Sequence, residues 1–222
     1  MLIAEDLLLL LLDDESGRLP LGTSVNVTSA LGGAVLAELT LLGAVAVEAR
    51  TSRFRSPKAT VTGPAPDDRV LADALAVIGE KDRTTQDLVV RLGKHLVATL
   101  GGRLADRGIL ERQESRLLGM LPRTRWPSAD STHEAEVRRS LTSVLVQGTT
   151  PDGRTGTLVA VLAGADLVHR VADHEGMSRR AVKRRAAEVV EGAWASTGVR
   201  EAIGAVHAAV KAAVAAAASG SA

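Results

Sequence analysis

A run of six leucines at residues 7–12 is the feature that most constrains how this chain folds. Acidic residues frame the run, with Glu5 and Asp6 before it and residues 13–15 after it. A bilayer-spanning helix needs about 20 apolar residues, and a secretory signal begins with positive charge and ends at a small-residue cleavage site. This run is shorter than a span, and its flanks carry the wrong charge for a signal. We therefore expect a helix buried on nearly all sides, in a soluble, cytosolic protein.

The composition favours helices and excludes several kinds of chemistry. Only Phe54, Trp126 and Trp194 are aromatic, so the core must be built from leucine, valine and alanine, and alanine and leucine favour helix. The absence of cysteine excludes disulfides, thiol catalysis and cysteine zinc sites. The net charge of +1 gives no overall attraction to nucleic acid or membrane, so such a role needs a local patch.

Hydrophobic periodicity and turn signals predict a mainly α fold: a single helical domain over residues 1–218 with two small β-hairpins, and a disordered tail at 219–222. Asp67 and Asp68 are candidate caps for the third helix. The predicted hairpins pair residues 44–48 with 59–62, and residues 109–111 with 116–121. Each hairpin follows a helix and a glycine, an order like that of a winged helix. The predicted helices cover residues 6–12, 31–42, 70–79, 87–104, 134–147, 158–171 and 178–218, the last broken near 196–198.

Enzymatic signatures are missing from the sequence. It contains no phosphate-binding Walker loop, no dinucleotide fingerprint, no nucleophile elbow and no helical zinc motif. His169 and His174 are five residues apart, which places them on different faces of a helix and does not suit a shared metal. We predict no catalysis, no metal and no cofactor.

Two segments have the order of DNA-binding elements. The helix at 87–104 precedes a hairpin, and residues 172–182 resemble a helix-turn-helix whose second helix is basic. Arginine and lysine on such a helix would contact phosphates, whereas the alternative is a solvated basic face. A nucleic-acid-binding regulator is therefore an alternative function. The basic residues of this helix are Arg179, Arg180, Lys183, Arg184 and Arg185.

Residues 120–127, just after the second hairpin, combine apolar residues with Arg123, Arg125 and Trp126. Tryptophan and arginine together suit a membrane interface, because the indole lies at headgroup level and the cation meets lipid phosphate. The alternative is that Trp126 folds back and closes the hairpin against a helix. A hairpin edge could also serve self-association, since an unpaired strand is a partner site.

Seven segments matter here for their order along the chain: residues 5–10, 13–17, 31–39, 42–43, 47–48, 67–76 and 104–110. Their order resembles the Golgi phosphoprotein 3 family. The resemblance implies a mostly helical domain without catalysis. Eukaryotic members of this family are peripheral membrane proteins that recognise phosphatidylinositol 4-phosphate and hold glycosyltransferases in the Golgi. They bind the headgroup with a tryptophan and three arginines and press a hydrophobic hairpin into the bilayer. Few aromatics and an alanine-rich end resemble a bacterial, high-GC actinobacterial member.

The family's headgroup residues are mostly replaced in this sequence. Its tryptophan falls on Thr23, and its arginines fall on Gly32, Lys94 and Val97. Lysine lacks the bidentate fork that grips a phosphate, so the resemblance implies weak binding of anionic lipid at Lys94 rather than tight phosphoinositide recognition. We expect a cytoplasmic protein at the inner face of the membrane, with a possible protein client or homo-oligomer as partner. Further candidate contacts are Arg18, Arg91, Arg103, Arg123, Arg125 and Trp126.

Overall fold

The structure is a computed structural model that describes residues 1–48, 57–117, 121–171, 176–192 and 194–219, with the backbone alone at 115–117 and 121–123. The prediction of a mainly helical fold with two small hairpins is confirmed. The strands are β1 (Val45–Val47), β2 (Ala59–Val61), β3 (Gln113–Leu117) and β4 (Leu121–Arg125). The helices are α1 (Ile3–Leu11), α2 (Ser24–Leu41), α3 (Arg69–Gly79), α4 (Thr85–Gly93), α5 (Leu96–Asp106), α6 (Thr132–Leu145), α7 (Gly153–Gly164), α8 (Val168–Val171), α9 (Arg179–Glu191) and α10 (Thr197–Ser219).

The leucine run forms α1, and every residue of this helix is buried. It packs against α2, α5 and α6, which confirms the predicted buried helix. The helix begins at Ile3, earlier than expected, because the Glu5 carboxylate accepts the N–H of Leu2 at 2.7 Å and caps the first turn.

Helix α2 lies at the centre of the fold and approaches α4 very closely. A Cβ atom on Gly32 would lie 2.0 Å from the carbonyl oxygen of Val89, and one on Gly93 would lie 2.0 Å from that of Thr28. Glycine on both helices therefore lets the two backbones touch. Helix α10 packs against α2, α7 and α4 from the C-terminal end of the chain.

Two helices among the described residues are long and apolar enough to cross a membrane by length and composition. These are α2 and α10, with mean hydropathies of 1.2 and 1.5 over their most apolar windows. The α2 window is 61% buried within the protein and the α10 window 28%. Core helices of soluble proteins share these properties, and α2 has the burial of such a helix.

Two predicted long helices are each divided in two. The helix expected at 87–104 breaks between α4 and α5, where His95 adopts a left-handed backbone with φ of +64°. The helix expected at 158–171 breaks between α7 and α8, where Asp166 has φ of +59°. Gly93 and Gly164 end α4 and α7 just before these breaks, but the residues with a left-handed backbone are His95 and Asp166. The expectation of continuous helices was wrong.

The second hairpin lies later in the chain than predicted. Strands β3 and β4 pair Gln113 with Arg125 and Leu117 with Leu121, whereas strands were expected at 109–111 and 116–121. Leu110 forms only an isolated bridge, to Ser128, and is buried. The apolar residues of this region therefore anchor a loop, and the polar residues after them form the strand. Ser219, assigned to the tail, is the last residue of α10, and residues 220–222 lie outside the described residues.

Candidate functional site

Arg91 and Lys94 line one open groove where α4 ends and α5 begins. Lys94 caps α4 in an extended backbone conformation and donates its N–H to the Arg91 carbonyl at 3.2 Å. The groove has a volume of about 210 Å³. We call it the Lys94 groove. Its lining is Val35, Val70, Asp73, Ala74, Val77, Arg91, Leu92, Lys94, Leu96 and Thr99.

The two cations of the Lys94 groove differ in their partners. The Arg91 Nε donates to Asp87 at 2.7 Å, and the Arg91 side chain remains 47% exposed. Lys94 is exposed and, among the described residues, has no carboxylate within ion-pair distance. The break at His95 thus leaves an exposed lysine in a groove whose walls are mainly apolar and also include Asp73. A cation beside apolar walls suits an anion carried by an amphipathic molecule.

Arg103 does not reach this groove. Its two terminal nitrogens donate to both oxygens of Asp68, at 3.0 and 2.7 Å, and its Nε donates to Glu5 at 3.1 Å. The hydrogen bonds to Asp68, followed by the charge of Glu5, raise the pKa of Arg103. The guanidinium therefore ties α5 to α1 and to the start of α3.

Arg18 lines a second groove, which we call the Arg170 groove. It has a volume of about 580 Å³ and lies between the end of α1, the following loop, α6 and α8. Arg138 and Arg170 line it together with Arg18. Sequence reasoning missed Arg138 and Arg170, because they lie more than a hundred residues from Arg18 and belong to no motif.

The indole of Trp126 does not face solvent. The residue is 5% exposed, and a Cβ atom on Gly101 would lie 2.6 Å from its ring. Trp126 also donates its backbone N–H to Gly17 at 3.0 Å. The indole therefore closes the hairpin against α5, as in the second of the two alternatives that the sequence offered for Trp126. Its neighbour Arg125 is half-buried, and the Arg123 side chain lies outside the described residues.

A buried acidic pair at the start of α1 was not recognised as structurally important from the sequence. Glu5 is 0% and Asp6 2% exposed. Besides Arg103, Glu5 contacts Arg107 at 3.1 Å, while Asp6 contacts Arg154 at 2.6 Å and His133 at 2.8 Å. The sequence did contain a signal for this buried pair, since both acids directly precede the leucine run.

Comparison with known protein families gives a match over nearly the whole chain. Residues 3–206 match the Golgi phosphoprotein 3 (GPP34) family. The chain belongs to the Golgi phosphoprotein 3 family. The resemblance inferred from the order of segments is confirmed. Comparison with curated proteins finds no match.

In this Golgi phosphoprotein 3 family member, the four positions matched to the family's headgroup residues have different surroundings. Thr23 is 6% exposed and its hydroxyl donates to the Pro20 carbonyl at 2.6 Å. Gly32 contacts the α4 backbone so closely that no side chain fits there. Val97 is half-buried against the core. Of these four positions, Lys94 is the one that presents a cation.

The basic helix α9 is packed through Val182, Ala186 and Val189. Lys183 pairs with Asp166 at 2.6 Å and Arg185 with Glu188 at 3.1 Å. Residues 172–175, the first part of the expected helix-turn-helix, lie outside the described residues. Within the described part of the chain, no group of three or more histidine, aspartate or glutamate residues has the geometry to hold a metal ion.

Proposed function

We propose that this Golgi phosphoprotein 3 family member is a non-catalytic peripheral membrane protein that binds the phosphate of anionic phospholipids in the Lys94 groove. The observation that supports it is the position of Lys94, which falls where the resemblance places a headgroup residue. Lys94 lies beside Arg91 in a groove whose walls are mainly apolar and also include Asp73. A basic residue near an anionic surface contributes about 1 kcal/mol of attraction. Few such residues suffice for reversible binding.

The binding is general for anionic lipid rather than selective for phosphatidylinositol 4-phosphate. Selective recognition needs several donors in fixed directions, and Thr23, Gly32 and Val97 supply none of the family's side chains. Lysine acts as a point charge without bidentate geometry. Phosphatidylinositol 4-phosphate should therefore bind no better than another lipid of equal charge.

We place the protein in the cytoplasm, peripheral to the inner face of the membrane, where anionic lipid produces a negative surface potential. A role as adaptor for a protein client, or self-association through a hairpin edge, is compatible with this location. Membrane binding would concentrate the protein at the surface where such partners are met.

Vesicle sedimentation tests the proposal. The native chain is mixed with vesicles of phosphatidylcholine alone, or of phosphatidylcholine and phosphatidylglycerol in equal parts. We expect it to sediment with the second kind only and to dissociate as salt is raised, because surface charges are screened. Equal recovery in both supernatants would contradict the proposal.

Nucleic-acid binding is the second candidate, and α9 is the observation in its favour. Arg179 and Arg180 are exposed at its N-terminal end. A gel shift on duplex DNA over a range of salt concentrations separates the two functions, because neutralised phosphates make binding fall steeply with salt. We expect no shift at physiological salt; a salt-sensitive shift lost in the Arg179→Ala/Arg180→Ala variant would instead favour DNA.

A further inference from the structure

The Arg170 groove gathers three arginines from distant parts of the chain. Arg18 comes from the loop after α1, Arg138 from α6 and Arg170 from the end of α8. Among the residues that the structure describes, Asp13 is the carboxylate that lines the groove, and hydrogen bonds from Ser16 lower the pKa of this carboxyl. Three guanidinium groups thus line one groove together with Asp13, and one of them, Arg138, is paired with Glu134 at 2.6 Å.

Arg138 is held in a fixed orientation at this groove. Its Nε donates to Glu134 at 2.7 Å, and its terminal nitrogens donate to the carbonyl oxygens of Val171 at 3.0 Å and Leu10 at 3.1 Å. Glu134 itself is 4% exposed. A guanidinium fixed before binding loses little conformational entropy when an anion arrives.

Arg170 supplies the accessible charge. The residue is exposed and, within the described ranges, has no carboxylate at ion-pair distance. Burial lowers the pKa of the neighbouring His169, and the positive charges of Lys183, Arg170 and Arg179 lower it further, against the opposing charge of Asp166.

An exposed leucine stands at the rim of the same groove. Leu21 is 94% exposed, the highest value among the large hydrophobic residues in the described part of the chain. Val25, at the start of α2, is 45% exposed. An apolar side chain beside arginines matches the boundary between lipid headgroups and acyl chains, where cations meet phosphate and apolar groups enter the membrane.

We propose that the Arg170 groove is a second membrane contact, in which Arg18, Arg138 and Arg170 bind the phosphate of an anionic phospholipid and Leu21 enters the edge of the acyl region. The inference rests on the proposed function and adds a site to it, since neither Arg18 nor Arg170 lines the Lys94 groove. The arginines suit any phosphate, and the exposed Leu21 beside them favours a lipid over a soluble phosphate.

The charge of this site is tested with the Arg18→Ala/Arg170→Ala variant on vesicles of phosphatidylcholine and phosphatidylglycerol in equal parts. The matched control is Arg180→Ala/Arg184→Ala, which removes the same charge from an exposed face of α9. We expect the first variant to bind at least about tenfold more weakly than the native chain, from about 1 kcal/mol for each basic residue. The control should lose much less.

The apolar contact is tested with Leu21→Ser, and Leu42→Ser is its control because Leu42 is also exposed, at 59%. We expect Leu21→Ser to weaken vesicle binding and Leu42→Ser to leave it unchanged. Equal effects of the two leucine variants, or of the two charge variants, would overturn the second site. Circular dichroism confirms that each variant is folded.

The remaining outcomes separate this inference from the proposed function. If the native chain binds no anionic vesicle, both fail together. If it binds, and a Lys94→Gln variant is weakened while Arg18→Ala/Arg170→Ala binds normally, only the second site fails. If inorganic phosphate binds the native chain but not Arg18→Ala/Arg170→Ala, while the two chains bind anionic vesicles equally, the groove is assigned to a soluble phosphate and the lipid assignment is overturned.

Discussion

Glu5 and Asp6 show how single residues connect α1 to the rest of the molecule. Both carboxylates are buried, and their partners come from α5, α6 and α7. Removing one partner of a buried pair leaves a charge without compensation, which is costly even where the intact pair adds little net stability. The leucine helix is thus positioned by charge as well as by burial.

Replacement of Arg154 by methionine should destabilise the protein by about 2–3 kcal/mol. The cost lies below that of a fully buried pair, because Arg154 is 42% exposed and His133 still contacts Asp6. Urea unfolding measures the difference. Arg139→Met, on an exposed position of α6, should change stability by less than about 0.5 kcal/mol, and equal losses in the two variants would contradict the pairing.

Asp68 should make stability depend on pH. Desolvation raises the pKa of this carboxyl, but hydrogen bonds from Arg103 and from the N–H groups of Leu71 and Val70 outweigh it, so the pKa lies below its usual value. A lowered pKa stabilises the folded state above the unfolded pKa of about 3.9, and this contribution is lost as pH falls through the folded pKa.

The Asp68→Asn variant tests this dependence. Asparagine keeps the helix cap but loses the charge that pairs with Arg103. We expect the variant to be less stable than the native chain near about pH 6 and the difference to shrink toward about pH 3. Urea unfolding at several pH values measures it, and a difference that stays constant or grows on acidification would be evidence against the assignment.

At the scale of elements, α5 offers a direct test of how the second hairpin is held. Gly101 faces the Trp126 ring, whereas Gly102 has no neighbouring atom within 4 Å of its would-be Cβ. Gly101→Ala should destabilise by about 1–3 kcal/mol through overpacking. Gly102→Ala should stabilise by about 0.5–1 kcal/mol, since alanine favours helix. Thermal unfolding of both variants measures this, and the same sign for both would contradict the packing of Trp126 on α5.

The elements that could be predicted are those with a local chemical signal. Asp68 was expected to cap the third helix, and its carboxylate accepts the N–H groups of Val70 and Leu71. The helix breaks at His95 and Asp166 were not predicted, although Gly93 and Gly164 lie just before them, because the residues that adopt the left-handed backbone are not glycines. The second hairpin was misplaced because its strands lack apolar alternation.

At the scale of the whole molecule, the candidate site was predicted in part. Arg91 and Lys94 do share a groove, because they are only three residues apart: Arg91 lies in the last turn of α4 and Lys94 is its C-cap. The sequence could not decide whether the Trp126 side chain contacts a membrane or packs in the core. Its burial depends on the space beside Gly101, which no local pattern reveals. Arg138 and Arg170 were missed because only the fold brings them to Arg18.

The central claim is that this protein binds anionic membrane through the Lys94 groove. The measurement that tests it most directly compares Lys94→Gln with Lys81→Gln, an equal charge change at another exposed lysine, by titration with vesicles of phosphatidylcholine and phosphatidylglycerol in equal parts. We predict that Lys94→Gln weakens binding about fivefold, from about 1 kcal/mol for one basic residue, and that Lys81→Gln binds like the native chain. Equal affinities of the two variants would contradict the claim.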